Sequence, residues 1–111
     1  METLMTFGEA LELVKQGKLI SRQGWNGKGM FIFQRPEDSI HISTVITQVK
    51  SLPAAVKSFY TSRVWADSEN QMVKFTPYLC MKAADDSIVN GWLASQTDML
   101  ANDWSEFSYG V

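Results

Sequence analysis

The sequence predicts an α+β fold: a small single domain over residues 1–111, with a mostly antiparallel sheet, an N-terminal helix and short additional helices. Two observations carry this. A capped amphipathic stretch opens the chain, and short apolar or β-branched runs broken by glycine and aspartate turns come after it. A chain of 111 residues has the length for one domain with one modest core.

Thr6 reads as the N-cap of the first helix, and Glu9, three residues on, completes a capping box. Phe7, Ala10, Leu11 and Val14 recur at helical spacing, and Gly17 supplies the stop. Residues 19–22 read as a short strand. Gly24, Gly27 and Gly29 punctuate the next stretch, and Asn26-Gly27 predicts a hairpin turn because both residues accept positive φ. Residues 30–34 form the returning strand, and Pro36 ends it. Residues 43–50 read as either helix or extended chain, since Val45, Ile46 and Val49 are β-branched. Pro53 suits the first position of a helix running to Tyr60, and residues 66–71 read as a loop. Residues 75–82 predict one strand, with Pro77 confining its start to a sheet edge. A turn at 83–87 and a returning strand at 88–92 come next. Ser95 caps a short helix holding Met99 and Leu100, with Asp98 three residues after the cap. Residues 103–107 close the chain as a strand with Trp104 on one face.

Composition narrows the function classes. Hydrophobic residues at 45% and charged residues at 20% are an ordinary globular balance, which excludes disorder of the whole chain. A net charge of −2 argues against a binder of DNA or RNA polymers. The charge is unevenly spread. Residues 13–36 carry Lys15, Lys18, Arg22, Lys28 and Arg35 and no acid, whereas residues 83–111 carry Asp85, Asp86, Asp98, Asp103 and Glu106 and no base. Either the two ends lie side by side and neutralise each other, or the basic end provides a local positive field for a small anion. The lone Cys80 allows no intrachain disulfide, and no Cys/His spacing suggests a metal. Cys80 reads as a small buried hydrophobe. The start of the chain is short and carries Glu2, and no apolar run approaches about 20 residues. The expectation is a cytoplasmic protein with no membrane partner.

No catalytic set emerges. Asp85 and Asp86 are adjacent in a turn, Asp98 and Asp103 lie five apart, and His41 sits between β-branched residues. No cofactor motif emerges either: the glycines are spaced G-x-x-G-x-G and precede a strand, unlike a dinucleotide fingerprint. The segment does offer close backbone approach, with Trp25 as a flat face, Asn26 as donor and acceptor, and Lys28 as a point charge. The bland alternative is a turn with an indole folded back on the core. The segment NGWLASQTDML, residues 90–100, has a similar make-up. Trp92 comes after a glycine, and Ser95, Gln96, Thr97 and Asp98 open a helix whose N–H groups could meet an anion. Asp98 opposes a phosphate there and favours ribose or base contacts. A core tryptophan and a helix cap are the bland reading.

Two longer motifs carry a resemblance. MTFGEALELVKQGKLISRQGWNGKGMFIF (5–33) and YLCMKAADDSIVNGWLASQTDMLANDW (78–104) resemble the opening and the ending of the phage-encoded Thoeris anti-defence proteins of the second type. Together they span about half the chain. The resemblance implies a sponge: a non-enzyme that binds cyclic ADP-ribose isomers made by bacterial immune sensors and holds them uncleaved. Some members also bind cyclic oligonucleotides, including cyclic dinucleotides. It further implies a homotetramer with pockets shared between subunits, acting in the cytoplasm of an infected host. Carried over by motif, Trp25 and Trp92 are the pocket tryptophans, Asn26 a polar contact and Phe7 an apolar wall, with Ser95, Gln96 and Asp98 in the second motif. On this reading the tryptophans sandwich an adenine, and Lys28 and Arg22 face the pyrophosphate. Residues 34–74 match less clearly, which leaves pocket size open. A signal-degrading enzyme and a protein-interaction module anchored by exposed tryptophans remain the alternatives.

Overall fold

The computed structural model describes residues 3–65 and 69–108. The elements are α1 (Phe7–Lys15), β1 (Ile20–Arg22), β2 (Phe31–Arg35), β3 (Asp38–His41), α2 (Ile42–Thr47), α3 (Ala54–Thr61), β4 (Met72–Phe75), β5 (Tyr78–Lys82), β6 (Ile88–Asn90), α4 (Gln96–Leu100) and β7 (Trp104–Glu106). This is the α+β class the sequence predicts. The chain divides into two compact units, Met1–Pro36 with Pro77–Val111, and Glu37–Thr76.

The larger unit is a five-stranded antiparallel sheet in the order β6-β5-β2-β1-β7. First and last strands are neighbours, with Ile20 opposite Glu106 and Arg22 opposite Trp104. One sheet face carries α1. Strand alternation sends Ile20, Ile32 and Trp104 to that face, where they meet Ala10 and Val14 of the helix; all five are fully buried. The helix ends are set locally as expected. Thr6 Oγ1 accepts from the Glu9 N–H and the Glu9 carboxylate accepts from the Thr6 N–H, completing the capping box. Bonds donated to it by the Thr6 N–H and hydroxyl hold the Glu9 carboxyl below the usual range. Gly17 lies just beyond the helix at φ 90°, a value L-residues rarely adopt.

The smaller unit is a β3–β4 ribbon with α2 and α3. Residues 42–47 resolve as helix despite their β-branched content, because Ile42 and Val45 are buried and tertiary packing outweighs propensity. His41 caps α2: its Nδ1 accepts from the Ser43 N–H, so Nε2 carries the proton and donates to the Glu69 carbonyl. Pro53 sits at the N-cap of α3, one residue earlier than expected. Of the loop expected at 66–71, residues 66–68 lie outside the described residues. Gln71 in that stretch is buried, donating to the Arg63 carbonyl and accepting from the Trp65 N–H.

Two strand expectations and one turn expectation are corrected, and one strand is new. Residues 75–82 are not one strand: β4 ends at Phe75 and β5 begins at Tyr78, in different sheets, because Pro77 has no N–H and a fixed φ. Nor does Pro77 mark an edge, since β5 lies between β6 and β2. The polar β3 has no counterpart among the expected strands. The turn between β1 and β2 is also longer than an Asn-Gly hairpin, because a helical turn precedes the dipeptide.

Candidate functional site

Gln23–Trp25 forms a single 3-10 turn directly after β1, and Asn26 closes it in the left-handed region at φ 59°. Gly27 and Gly29 continue at φ 66° and 74°, so the Gly-Asn punctuation builds a wide connection rather than a two-residue hairpin. The turn throws the Trp25 side chain back toward the sheet. Its ring meets Trp104 edge to face, with centroids 5.2 Å apart at 78°.

Trp92 arrives from the other motif. Gly91 at φ 67° turns the chain after β6, and the Trp92 N–H donates to the Leu79 carbonyl at 2.7 Å. The Trp92 ring lies 6.4 Å from Trp25 at 82° and 6.5 Å from Trp104 at 74°. Phe7 closes the cluster 5.2 Å from Trp104. The edge-to-face contacts among the three indoles match the positive rim of one ring to the negative face of the next, and Phe7 lies tilted against Trp104 at 47°. Trp104 is fully buried, whereas Phe7, Trp25 and Trp92 are only partly buried. The two motif tryptophans therefore share a buried hub and keep accessible surface. They do not stand parallel, so the expected adenine sandwich is replaced by a corner, with one indole's face beside another's edge.

Arg22 ties the corner together. Its Nε donates to Asp103 Oδ1 at 2.9 Å and its Nη1 to Asp98 Oδ1 at 2.8 Å. The second oxygen of Asp103 accepts from the Gly24 N–H at 2.8 Å, and the Asp103 carbonyl accepts from the Gln23 N–H. The second oxygen of Asp98 accepts from the Ser95 N–H within the α4 capping box, and the Asp98 carbonyl accepts from Trp104 Nε1–H at 2.9 Å. Side-chain exposure of 16% for both Arg22 and Asp98 removes much of the solvent screening that makes surface pairs weak. Hydrogen bonds from Arg22 and Gly24 hold the Asp103 carboxyl below the usual range, with Arg22 the largest cause. At Asp98, burial pushes the carboxyl up, but bonds from Arg22 and Ser95 outweigh it and the net direction is down. Both acids in turn raise Arg22.

The residues singled out from sequence thus separate. Phe7, Trp25 and Trp92 converge. Asn26 is exposed at the turn, and Lys28 is exposed and in no ion pair among the described residues. Ser95 Oγ accepts from the Asp98 N–H, and Gln96 is exposed at the start of the five-residue α4. Asp98 is engaged with Arg22 and Ser95. Arg22, expected to face a pyrophosphate, is already held by two carboxylates. The uneven charge is neutralised between the two ends only in part: Arg22 pairs with Asp98 and Asp103, and Lys18 lies near Glu106 as a second, exposed pair, whereas Lys15 pairs with Glu12 and Asp86 with Lys82. Trp104 and Asp103 are the additions that sequence reasoning did not assign to the site. Among the described residues, no group of three His, Cys, Asp or Glu side chains is placed to hold a metal ion, and no helix is long and apolar enough to cross a membrane.

Comparison with known proteins gives two concordant matches. A family profile named Tad2-like, the Thoeris anti-defense 2-like domain, matches residues 5–107. It runs through residues 34–74, which the two motifs left uncovered. The protein Thoeris anti-defense 2 of Bacillus phage SP01 is 39% identical over 104 residues, covering 94% of this chain and 96% of that protein.

Proposed function

The chain belongs to the Tad2-like, Thoeris anti-defense 2-like family, and from that membership we propose that it is a phage anti-defence protein acting as a sponge. It binds cyclic ADP-ribose-isomer immune signals, and cyclic oligonucleotide signals as a second class, and sequesters them without cleavage. It works in the cytoplasm of the infected host as a homotetramer. The observation that carries the reading is the convergence of Trp25 and Trp92 on the buried Trp104, with Phe7 alongside. Both motif indoles keep accessible surface for a purine, and Asn26 and the exposed Lys28 lie on the same turn segment. Lys28, rather than Arg22, is the cation for the pyrophosphate. Ser95, Gln96 and Asp98, at the start of α4 shortly after Trp92 in the chain, complete the polar rim.

Base–aromatic stacking is worth about 1–3 kcal/mol per base, so losing one indole should weaken binding roughly 5- to 150-fold. The test is native mass spectrometry and calorimetry with a panel of cyclic ADP-ribose isomers and cyclic dinucleotides, comparing wild type with Trp25→Ala and Trp92→Ala. The bound ligand is then released by heat and its mass measured. The expected result is a tetramer carrying unmodified ligand, lost or weakened in both variants while each still melts cooperatively. Unchanged affinity in either variant removes that tryptophan from the site, and a shifted product mass would make the protein an enzyme.

A protein-interaction module is the second reading. It is favoured by Leu93, before α4, and Leu100, its last residue, which are 89% and 78% exposed. These same side chains suit contacts between subunits, so a monomer that retains no nucleotide but captures a host defence protein would favour the second reading over the first.

A further inference from the structure

We infer that Arg22, fixed by Asp103 and Asp98, is the positioning residue of the binding corner: it sets the angle of Trp25 and Trp92 and does not itself meet the ligand. The inference rests on the sponge reading for what the corner binds, but not for how the corner is held. Three observations carry it. First, Arg22 is the last residue of β1, immediately before the turn that carries Trp25. Second, Asp103 holds that turn at three points: its Oδ1 takes Arg22 Nε, its Oδ2 takes the Gly24 N–H and its carbonyl takes the Gln23 N–H. Third, Asp98 links the same guanidinium to the Trp92 side of the corner, through the Ser95 cap and through its carbonyl on Trp104 Nε1–H. One planar cation thus connects the turn bearing one indole to the segment bearing the other.

The chemistry requires arginine. A guanidinium presents donors in a rigid fork and can serve two carboxylates at fixed directions, whereas an ammonium is a point charge on a flexible stem. It also requires aspartate at 103, since both carboxylate oxygens are used on different donors and an asparagine has one acceptor oxygen. Gly24 belongs to the same device. A Cβ there would lie 2.9 Å from Asp103 Oδ2 and 3.1 Å from Arg22 Nη2, so the side chains close on a position with no room for one. Asp103 at 2.9 Å and Asp98 at 2.8 Å more than offset the charge of Arg22, so a ligand anion there would face two carboxylates beside one cation.

The test uses Arg22→Lys, Arg22→Met and Asp103→Asn in the full chain. Two quantities are read: the exciton couplet of the edge-to-face indoles in far-ultraviolet circular dichroism, and affinity for the cyclic ADP-ribose isomer that wild type binds most tightly. Cooperative melting selects folded variants. The expected result is a reduced couplet in all three, affinity at least tenfold lower in Arg22→Met and Asp103→Asn, and partial recovery of both in Arg22→Lys. Lost affinity with an intact couplet would put Arg22 on the ligand and overturn the positioning role. A changed couplet with intact affinity would overturn it as well, because the indole angle would not matter to binding. If wild type binds none of the probes, the sponge reading fails, and the couplet alone decides whether Arg22 orients the indoles: an unchanged couplet overturns the inference.

Discussion

Gly24→Ala tests the packing of the corner most directly, because its sign is decided by competing terms of known size. Gly24 is not among the positive-φ glycines, so alanine meets no backbone strain there. In a permissive place such a change restricts the unfolded chain and stabilises by about 0.4–1 kcal/mol. Here the new Cβ would sit 2.9 Å from Asp103 Oδ2. That oxygen is not the loose end of a free side chain. It accepts from the Gly24 N–H at 2.8 Å while the other oxygen accepts from Arg22 at 2.9 Å. Relieving the contact means rotating the carboxylate and giving up a hydrogen bond to a charged group, a loss of about 1.5–3 kcal/mol. The difference is a net destabilisation of roughly 1–2 kcal/mol, or a fall in Tm of about 4–8 °C at this chain length. Urea unfolding should show a lower midpoint at unchanged m. In the Asp103→Asn background the penalty should shrink, because the contact and the bond it breaks are already altered. A Gly24→Ala variant as stable as wild type, or more stable, would refute the reasoning.

Gly8→Ala should have the opposite sign. Gly8 lies in the first turn of α1, where a Cβ meets only Thr6 Oγ1 at 3.9 Å, so a gain of about 0.5–1 kcal/mol is expected by urea unfolding. Acid stability should track the Arg22 acids. The folded carboxyls of Asp98 and Asp103 lie below their ordinary value. Their stabilisation is therefore complete above the unfolded aspartate pKa of about 3.9, and it is lost as pH falls through the lower folded values. Asp103→Asn should flatten that acid limb, so that wild type and variant converge at low pH in thermal melts at stepped pH. The raised Arg22 titrates far on the alkaline side and adds no slope near neutrality.

Local signals were legible wherever a side chain answers its own backbone. Thr6 with Glu9 and Ser95 with Asp98 form the two capping boxes as their spacing predicts, and Gly17 stops α1. The 3.6-residue apolar period of α1 is the buried face. Failures lie where a non-local partner decides. Asp-Ser-Ile-His is a strand only because β4 pairs with it, His41 opposite Met72, and nothing in its composition announces that. Phe75 and Tyr78 both belong to strands, but the proline between them separates two sheets rather than starting one at an edge. Asn26-Gly27 has the φ angles its chemistry allows, yet the 3-10 turn before it makes the connection wider than the dipeptide alone implies.

The site was half legible for the same reason. Phe7, Trp25 and Trp92 stand out as aromatic side chains in matched motifs, but the hub they share is Trp104, which only the pairing of first and last strands brings among them. The charge asymmetry left two readings open because the ion pairs join residues 76 and 81 positions apart. Strand alternation nevertheless contains the deciding signal. Ile20 and Arg22 are two residues apart in one strand and so share a face, and Ile20 is fully buried against α1. An arginine on a core-directed face must be given carboxylates or lose more hydration than it recovers. A core-directed arginine in β1, with Asp98 and Asp103 in a C-terminal segment that holds no base, fits a fold in which β1 and that segment are neighbours, as they are. Paired in this way, Arg22 is committed to the fold before any ligand arrives.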